Sequence, residues 1–252
     1  GRVGKSSHGA NLLLNSNAKD SFKLAVELDQ FNKERQMLEK DLLKKILNDS
    51  KINTTDPILI LEGENWHEGV IGIIAARLKD KFNKPSIVIS KNGNTGKASA
   101  RSIVGFDIGS AIIAATQSNI LLKGGGHKMA GGFSIDIKNI KKFKEFIFNK
   151  FRGVNLDLST EKPLLIDSQI APTAINLEFY DKINILSPFG SGNPEPKFFI
   201  KDLKPVNSKV VGEKHIKSVL VGPEGTSIKT IAFNAMDNEL GAYLLKKKSN
   251  IF

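Results

Sequence analysis

The chain has 252 residues, 40% of them hydrophobic, a length between one large domain and two modest ones. It contains no cysteine, which excludes disulfide frameworks and thiolate metal sites, and no apolar run near the ~20 residues of a membrane-spanning helix, so a cytoplasmic protein with no membrane partner is expected. A net charge of +11 points instead to a polyanionic partner.

The chain opens on Gly1-Arg2-Val3-Gly4 and closes on Ser249-Asn250-Ile251-Phe252 inside an apolar run, so a fragment of a longer protein is expected. From Lys19 to Asn48 apolar residues recur at Leu24, Leu28, Phe31, Leu38 and Leu42 with charges between, the spacing of one long amphipathic helix. Pro57 to Leu61 reads as a short strand, Gly69 to Phe82 as a helix and Pro85 to Ser90 as a second strand, together a βαβ unit with parallel strands. Gly96 to Ser102 is a polar strand or loop. Asp107 is placed to cap a helix running to Thr116, and a glycine cluster then leads into a strand from Gly132 to Ile135. Phe143, Phe146, Ile147 and Phe151 share one face of a closing helix.

Beyond Arg152 the character changes. An extended, proline-punctuated stretch is followed by a helical segment from Asn176 to Leu186, a stiff bridge SPFGSGNPEPKFF, and then short β-rich runs at the spacing of a small barrel. From Lys197 onward there are 10 lysines against 5 acidic residues. The expected division is 1–50 for the long helix and what precedes it, 51–155 for an α/β domain, and 156–252 for the bridge and barrel.

Gly4-Lys5-Ser6 imitates the end of a phosphate-binding loop, but nothing downstream supplies the acidic residue that would hold magnesium there, and a nucleotide triphosphatase is set aside. More informative is LLKGGGHKMAGGFSI, residues 121 to 135. Consecutive glycines Gly124, Gly125 and Gly126 let backbone N–H groups converge on an anion, with His127 at the rim; the alternative is a tight turn whose imidazole bonds to backbone. In Ser99-Ala100-Arg101-Ser102, alternate residues of an extended segment share a face, so Ser99 and Arg101 can grip one phosphate, with Ser102 beside them. Only Arg2, Arg35, Arg77, Arg101 and Arg152 are arginines, so a planar fork at 101 stands out in a lysine-rich chain. The helix preceded by Asn65-Trp66-His67-Glu68-Gly69 also favours an anion at its start, while Trp66 is read as a core anchor. No metal-ligand cluster is evident.

NWHEGVIGIIAARLKDKFNKPSIVIS, then KASARS, then GGGHKMAGGF resemble the DHH-associated domain of the RecJ family of single-strand-specific exonucleases, and LSPFGSGNPEPKF resembles the bridge to that family's oligonucleotide-binding (OB) barrel. The resemblance implies a mixed-sheet α/β domain, preceded by a long connecting helix and followed by an OB-fold β-barrel. It implies a metal-dependent 5′ to 3′ exodeoxyribonuclease of DNA repair and recombination, using manganese or magnesium held by ligands outside this chain, so that the fragment alone is inactive. Ser99 and Arg101 then match the holders of the 5′ phosphate, and Gly124, Gly125, Gly126 and His127 face the scissile region, with His127 stabilising developing charge. Arg2 matches a further phosphate contact, and Lys209, Lys214, His215 and Lys217 are the candidate grips on downstream single-stranded DNA. A monomer is expected, with single-strand-binding proteins or helicases as candidate partners. Two rivals share the glycine run: small phosphodiesterases acting on oligoribonucleotides or cyclic dinucleotides, and a non-catalytic RNA-binding module.

Overall fold

The structure is a computed structural model that describes residues 3–4, 7–48, 53–154, 164–190 and 192–246. It divides into two compact units, Gly1–Lys162 and Pro163–Phe252.

The first unit begins with α1 (His8–Leu14) and α2 (Ala18–Leu47), the latter 30 residues long and started by Asn17, whose side-chain oxygen accepts from the Lys19 and Asp20 amides. Most of α2 faces solvent. Its last turns are apolar on one side, and Leu42, Leu43, Ile46 and Leu47 join a buried cluster with the next helix. Glu39 binds that helix as well, accepting from Arg35 at 2.8 Å and from Arg77 at 3.1 Å.

The α/β body follows as β1 (Leu59–Glu64), α3 (Glu68–Phe82), β2 (Ser86–Asn92), β3 (Thr95–Arg101), α4 (Ile108–Gln117), β4 (Lys123–His127), β5 (Ala130–Asp136) and α5 (Ile140–Arg152). The strands form one mixed sheet in the order β1-β2-β3-β5-β4. β1 and β2 are parallel across the α3 crossover, and every later pairing is antiparallel. The alternation of a strand separates two cores. Ile58, Ile87, Ile89, Ala98, Ala100, Phe133 and Ile135 face α4 and α5, whereas Leu59 and Val88 face α3 and the end of α2. Because α3 packs over β2 and β3, the outer strands β5 and β4 carry no helix on that side. This leaves an open shelf on the sheet.

The second unit holds β6 (Ser168–Gln169), α6 (Leu177–Asn184), β7 (Phe198–Phe199), β8 (Lys204–Val211), β9 (His215–Val221), β10 (Ser227–Ala232) and α7 (Glu239–Leu245). β8, β9 and β10 form an antiparallel sheet in the order β10-β9-β8, and β6 pairs with β7 in parallel. This is the β-rich second unit that the sequence led one to expect, its five strands arranged among the described residues as one three-stranded and one two-stranded sheet. Asp202, with a φ of 56°, lies between β7 and β8 and separates them. Buried Ile216, Ala235 and Leu244 form the small core beneath α7.

Candidate functional site

The register of three strands builds the site. Antiparallel partners place their side chains on the same face of a sheet. Arg101 pairs with Ala130, and Ala130 with His127; Ser99 pairs with Gly132, and Gly132 with Gly125; Lys97 pairs with Ser134, and Ser134 with Lys123. Three parallel rows result, each with a small residue in the middle column, starting on β3 at the edge of α3 and running out over β5 and β4, which α3 leaves uncovered. Arg101 and His127 stand about 10 Å apart, two strand spacings, across Ala130. Sequence alternation brought Ser99 and Arg101 together correctly, and the fold adds His127 to their face.

Arg101 is oriented from its own strand: Nη1 donates to Ser99 Oγ at 3.2 Å and to the Ala100 carbonyl at 2.8 Å. As acceptor in that bond, Ser99 keeps its hydroxyl proton for another oxygen. Gly72 of α3 makes the room, since a Cβ there would lie 3.0 Å from Ser99 Oγ and 3.2 Å from Arg101 Nη2. Sequence reasoning missed Gly72. Its signal was a glycine inside a helical pattern, costly for the helix unless something must come close.

His127 closes β4 at the start of a tight turn. Its Nδ1 accepts from the Met129 amide at 3.3 Å, so the ring proton sits on Nε2, free of the turn and able to donate. The turn is tied on both sides: the Lys128 carbonyl accepts from Ile108 N and the Met129 carbonyl from Ser102 N. Asp107 caps α4 as expected, accepting from Ser110 N at 2.9 Å. That backbone N–H is the largest influence holding the Asp107 carboxyl below its ordinary range, with Lys128 a lesser one.

Three expectations are corrected here. Gly124, Gly125 and Gly126 do not form an amide cradle; they are a strand paired with β5. None of the three has a left-handed φ, so what they supply is missing bulk. A Cβ on Gly124 would lie 2.7 Å from Ile112 of α4, and one on Gly126 would meet the Ala130 carbonyl, whereas one on Gly125 meets nothing within 4 Å. Two of these glycines therefore serve packing and one leaves the shelf bare. Ser102 faces inward: it is buried, and its hydroxyl donates to the Phe106 carbonyl at 2.7 Å, which removes it from the phosphate-binding set. The start of α3 is already served, because His67 Nδ1 accepts from Gly69 N at 3.1 Å and Glu68 occupies the first turn. Trp66 packs half-buried against that core, over Gly63, as expected of an anchor. Arg2 lies outside the described residues.

A cleft of about 630 Å³ opens on the shelf, with Glu68 and Ile71 of α3 on one side. Lys97, Ser99, Lys123 and Gly125 border it, and Arg101 and His127 occupy the next row along, beyond its lining. Lys97 and Lys123 were not singled out from the sequence, because only the β3-β5-β4 register shows that they face each other.

In the second unit Lys209 lies opposite Lys217 in the β8-β9 ladder, and Ile231 continues the row. Like charges directly opposite one another oppose sheet formation, so an exposed pair of this kind fits a surface built for anions. Asn207, Val219 and Lys229 form the adjacent row. His215 shares this face, its Nδ1 accepting from Asn234 N at 2.9 Å and its ring meeting Phe233 edge-on at 5.3 Å. Phe233 is 69% exposed. Lys214 belongs to the exposed turn between β8 and β9 rather than to either row.

Residues 55–153 match the family model of the DHHA1 domain, and residues 166–251 that of the RecJ OB domain. The chain thus matches a DHHA1 domain followed by a RecJ OB domain. It is similar to the single-stranded-DNA-specific exonuclease RecJ of Escherichia coli K12, at 31% identity over 93% of this chain, and to RecJ of Bacillus subtilis 168, at 27% over the same share. The chain spans 42% of the first relative and 30% of the second, well under half of either. Crystal structures of Thermus thermophilus RecJ in complex with Mg2+ and with Mn2+ share its fold at 26% identity, with TM-scores of 0.70 and 0.71. They cover 92% and 94% of this chain, and 35% and 34% of theirs.

Proposed function

We propose that this chain is the strand-binding part of a RecJ-like exonuclease that degrades single-stranded DNA from 5′ to 3′ in DNA repair and recombination in the cytoplasm. The observation that carries the reading is the row that aligns Arg101, Ala130 and His127 on one uncovered sheet face, with Ser99 bonded to Arg101. Arg101 and Ser99 hold the 5′ phosphate as a planar fork and a hydroxyl. His127, aimed by the Met129 amide and a turn tied at both sides, donates through Nε2 to a phosphoryl oxygen where negative charge develops. The sheet beneath the row is bare, so a sugar–phosphate backbone can approach it closely.

Hydrolysis of a phosphodiester by such an enzyme draws on divalent manganese or magnesium, which activates water and neutralises charge. Among the described residues no three His, Asp or Glu side chains are grouped to hold a metal ion. The described residues do not fit that centre, and we assign its ligands to other residues of the longer enzyme. By itself the chain binds strands without cutting them. The second unit adds a sequence-independent grip through Lys209, Lys214, Lys217 and Lys229, with Phe233 as a stacking platform. The working form is a monomer, with a single-strand-binding protein or a helicase as partner.

The test is strand binding with and without a terminal phosphate. Arg101→Ala should weaken binding of 5′-phosphorylated strands more than of 5′-hydroxyl strands, and equal losses would remove the assignment. In an enzyme spanning the full length of the relatives, His127→Ala should lower the cleavage rate by about 10²–10³, the cost of losing one aimed donor, with little change in strand affinity.

A further inference from the structure

The lining of the cleft on the shelf takes in the whole lysine row, and the 5′-phosphate reading leaves that row without a task. Lys97 on β3 and Lys123 on β4 flank β5 with only Ser134 between them, both exposed, at the border of a cavity lined also by Gly125 and Gly132. A Cβ on Gly132 would touch nothing nearer than the Ala98 carbonyl at 3.4 Å, so the floor stays flat at both positions. Two cations in one row of a sheet repel each other, and among the described residues one carboxylate pairs with them: Glu68, in the first turn of α3, accepts from Lys97 at 2.7 Å. Both members of that pair are more than half exposed, so water screens it and an incoming anion can replace the carboxylate. Lys123 has no ion pair among the described residues. Along β3, Lys97 is four residues from Arg101 on the same face, about 14 Å at ~3.4 Å per residue.

We infer that Lys97 and Lys123 form a second phosphate site, which holds an internal phosphate of the strand whose 5′ end lies at Ser99 and Arg101, and that Glu68 is the counter-ion Lys97 releases when that phosphate enters. The inference rests on the reading that the ligand is a single strand. It adds a measuring function: the cleft requires a charged linkage at a set distance from the end, the second or third from the 5′ phosphate. Ser134, in the middle of the row, supplies a hydroxyl between the two ammonium groups.

The experiment is a binding titration of this chain with 5′-phosphorylated single strands in which one phosphodiester at a time is replaced by an uncharged methylphosphonate. A neutral linkage at the second or third position should weaken binding roughly tenfold, the size of one charge-assisted contact, with smaller losses elsewhere. Lys97→Ala with Lys123→Ala should abolish that positional penalty while keeping the preference for a 5′ phosphate, and Lys97→Arg with Lys123→Arg should restore it. Glu68→Gln should tighten binding of the fully charged strand and leave the strand neutral at that linkage unaffected. A positional penalty that survives the double alanine variant, or an equal loss at every linkage, overturns the second site. If Arg101→Ala still erases the 5′-phosphate preference, the functional reading stands without it; a chain that binds no single strand overturns both.

Discussion

The first unit buries aliphatic and aromatic side chains on both faces of a five-stranded sheet, and at Gly109, Gly124 and Gly131 it gives up side chains so that α4 can press directly on β4 and β5. The second unit has only a small core around Ile216 and leaves Lys209, Lys217, Lys229, Ile231 and Phe233 on an open sheet face. A deeply packed sheet can hold an arginine, an imidazole and two lysines in fixed rows, and so can recognise one phosphate by its place. A thin sheet with a basic face holds a strand anywhere along its length, through charge and stacking that do not depend on position. On the proposed function, precise recognition and general grip are divided between these two kinds of packing.

The largest expected effect tests the thickness of the cores. Phe143→Ala removes a fully buried ring that packs on Phe133 with centroids 4.6 Å apart, and should cost the first unit about 3–5 kcal/mol in a denaturant titration. Leu244→Ala in the second unit should cost about 2 kcal/mol, the low end for such truncations, because its core is small. Equal losses would erase the contrast.

Next come the two kinds of glycine. A Cβ on Gly109 would lie 2.8 Å from the backbone N, C and O of His127, so Gly109→Ala should cost about 1–3 kcal/mol and shift the His127 resonances in NMR spectra. Gly125→Ala has open space and should leave stability nearly unchanged while lowering strand affinity, since its methyl group stands on the cleft floor. A stable Gly109→Ala with unmoved His127 would show that α4 does not position the site. In the second unit, replacing Lys209, Lys217 and Lys229 with alanine should lower the salt slope of single-strand binding by about 0.7 per lysine, whereas Phe233→Ala should weaken binding by about 1–3 kcal/mol with the slope kept.

The smallest effect concerns pH. The Ser110 amide holds the Asp107 carboxyl below its ordinary range, so its stabilising contribution is complete above the unfolded value near ~3.9 and is lost as the pH falls through the lower folded value. Amide exchange in α4 and the β4-β5 turn should therefore quicken on acidification below that range. Asp107→Asn keeps the cap and should remove this acid dependence; an unchanged profile would assign it to another carboxylate.

Much of the α/β body was legible because its signals are local. The 3.6-residue periodicity of α2, α3 and α5, the Asp107 cap and the β-branched runs at β1 and β2 each need only a few neighbouring residues to state themselves. The Ser99–Arg101 pair was legible for the same reason, being two residues apart on an extended segment. Ser102 was misassigned because alternation settles whether a side chain turns away from Arg101, and only the Phe106 carbonyl shows where it goes. The β-rich runs of the second unit were legible too, whereas their partners were not, because strand spacing carries no information about pairing.

By itself the sequence determined the longer helices and the aliphatic strands of the α/β body, that Ser99 and Arg101 share a face if extended, and that the chain is strongly basic, since these follow from periodicity, caps and composition. Only the tertiary structure decided that Arg101 and His127 occupy one row, that Lys97 and Lys123 occupy another, and that the glycine run is a packed strand with one bare position. Those facts depend on the register between strands far apart in the chain and on how closely α4 approaches the sheet, which no local pattern encodes.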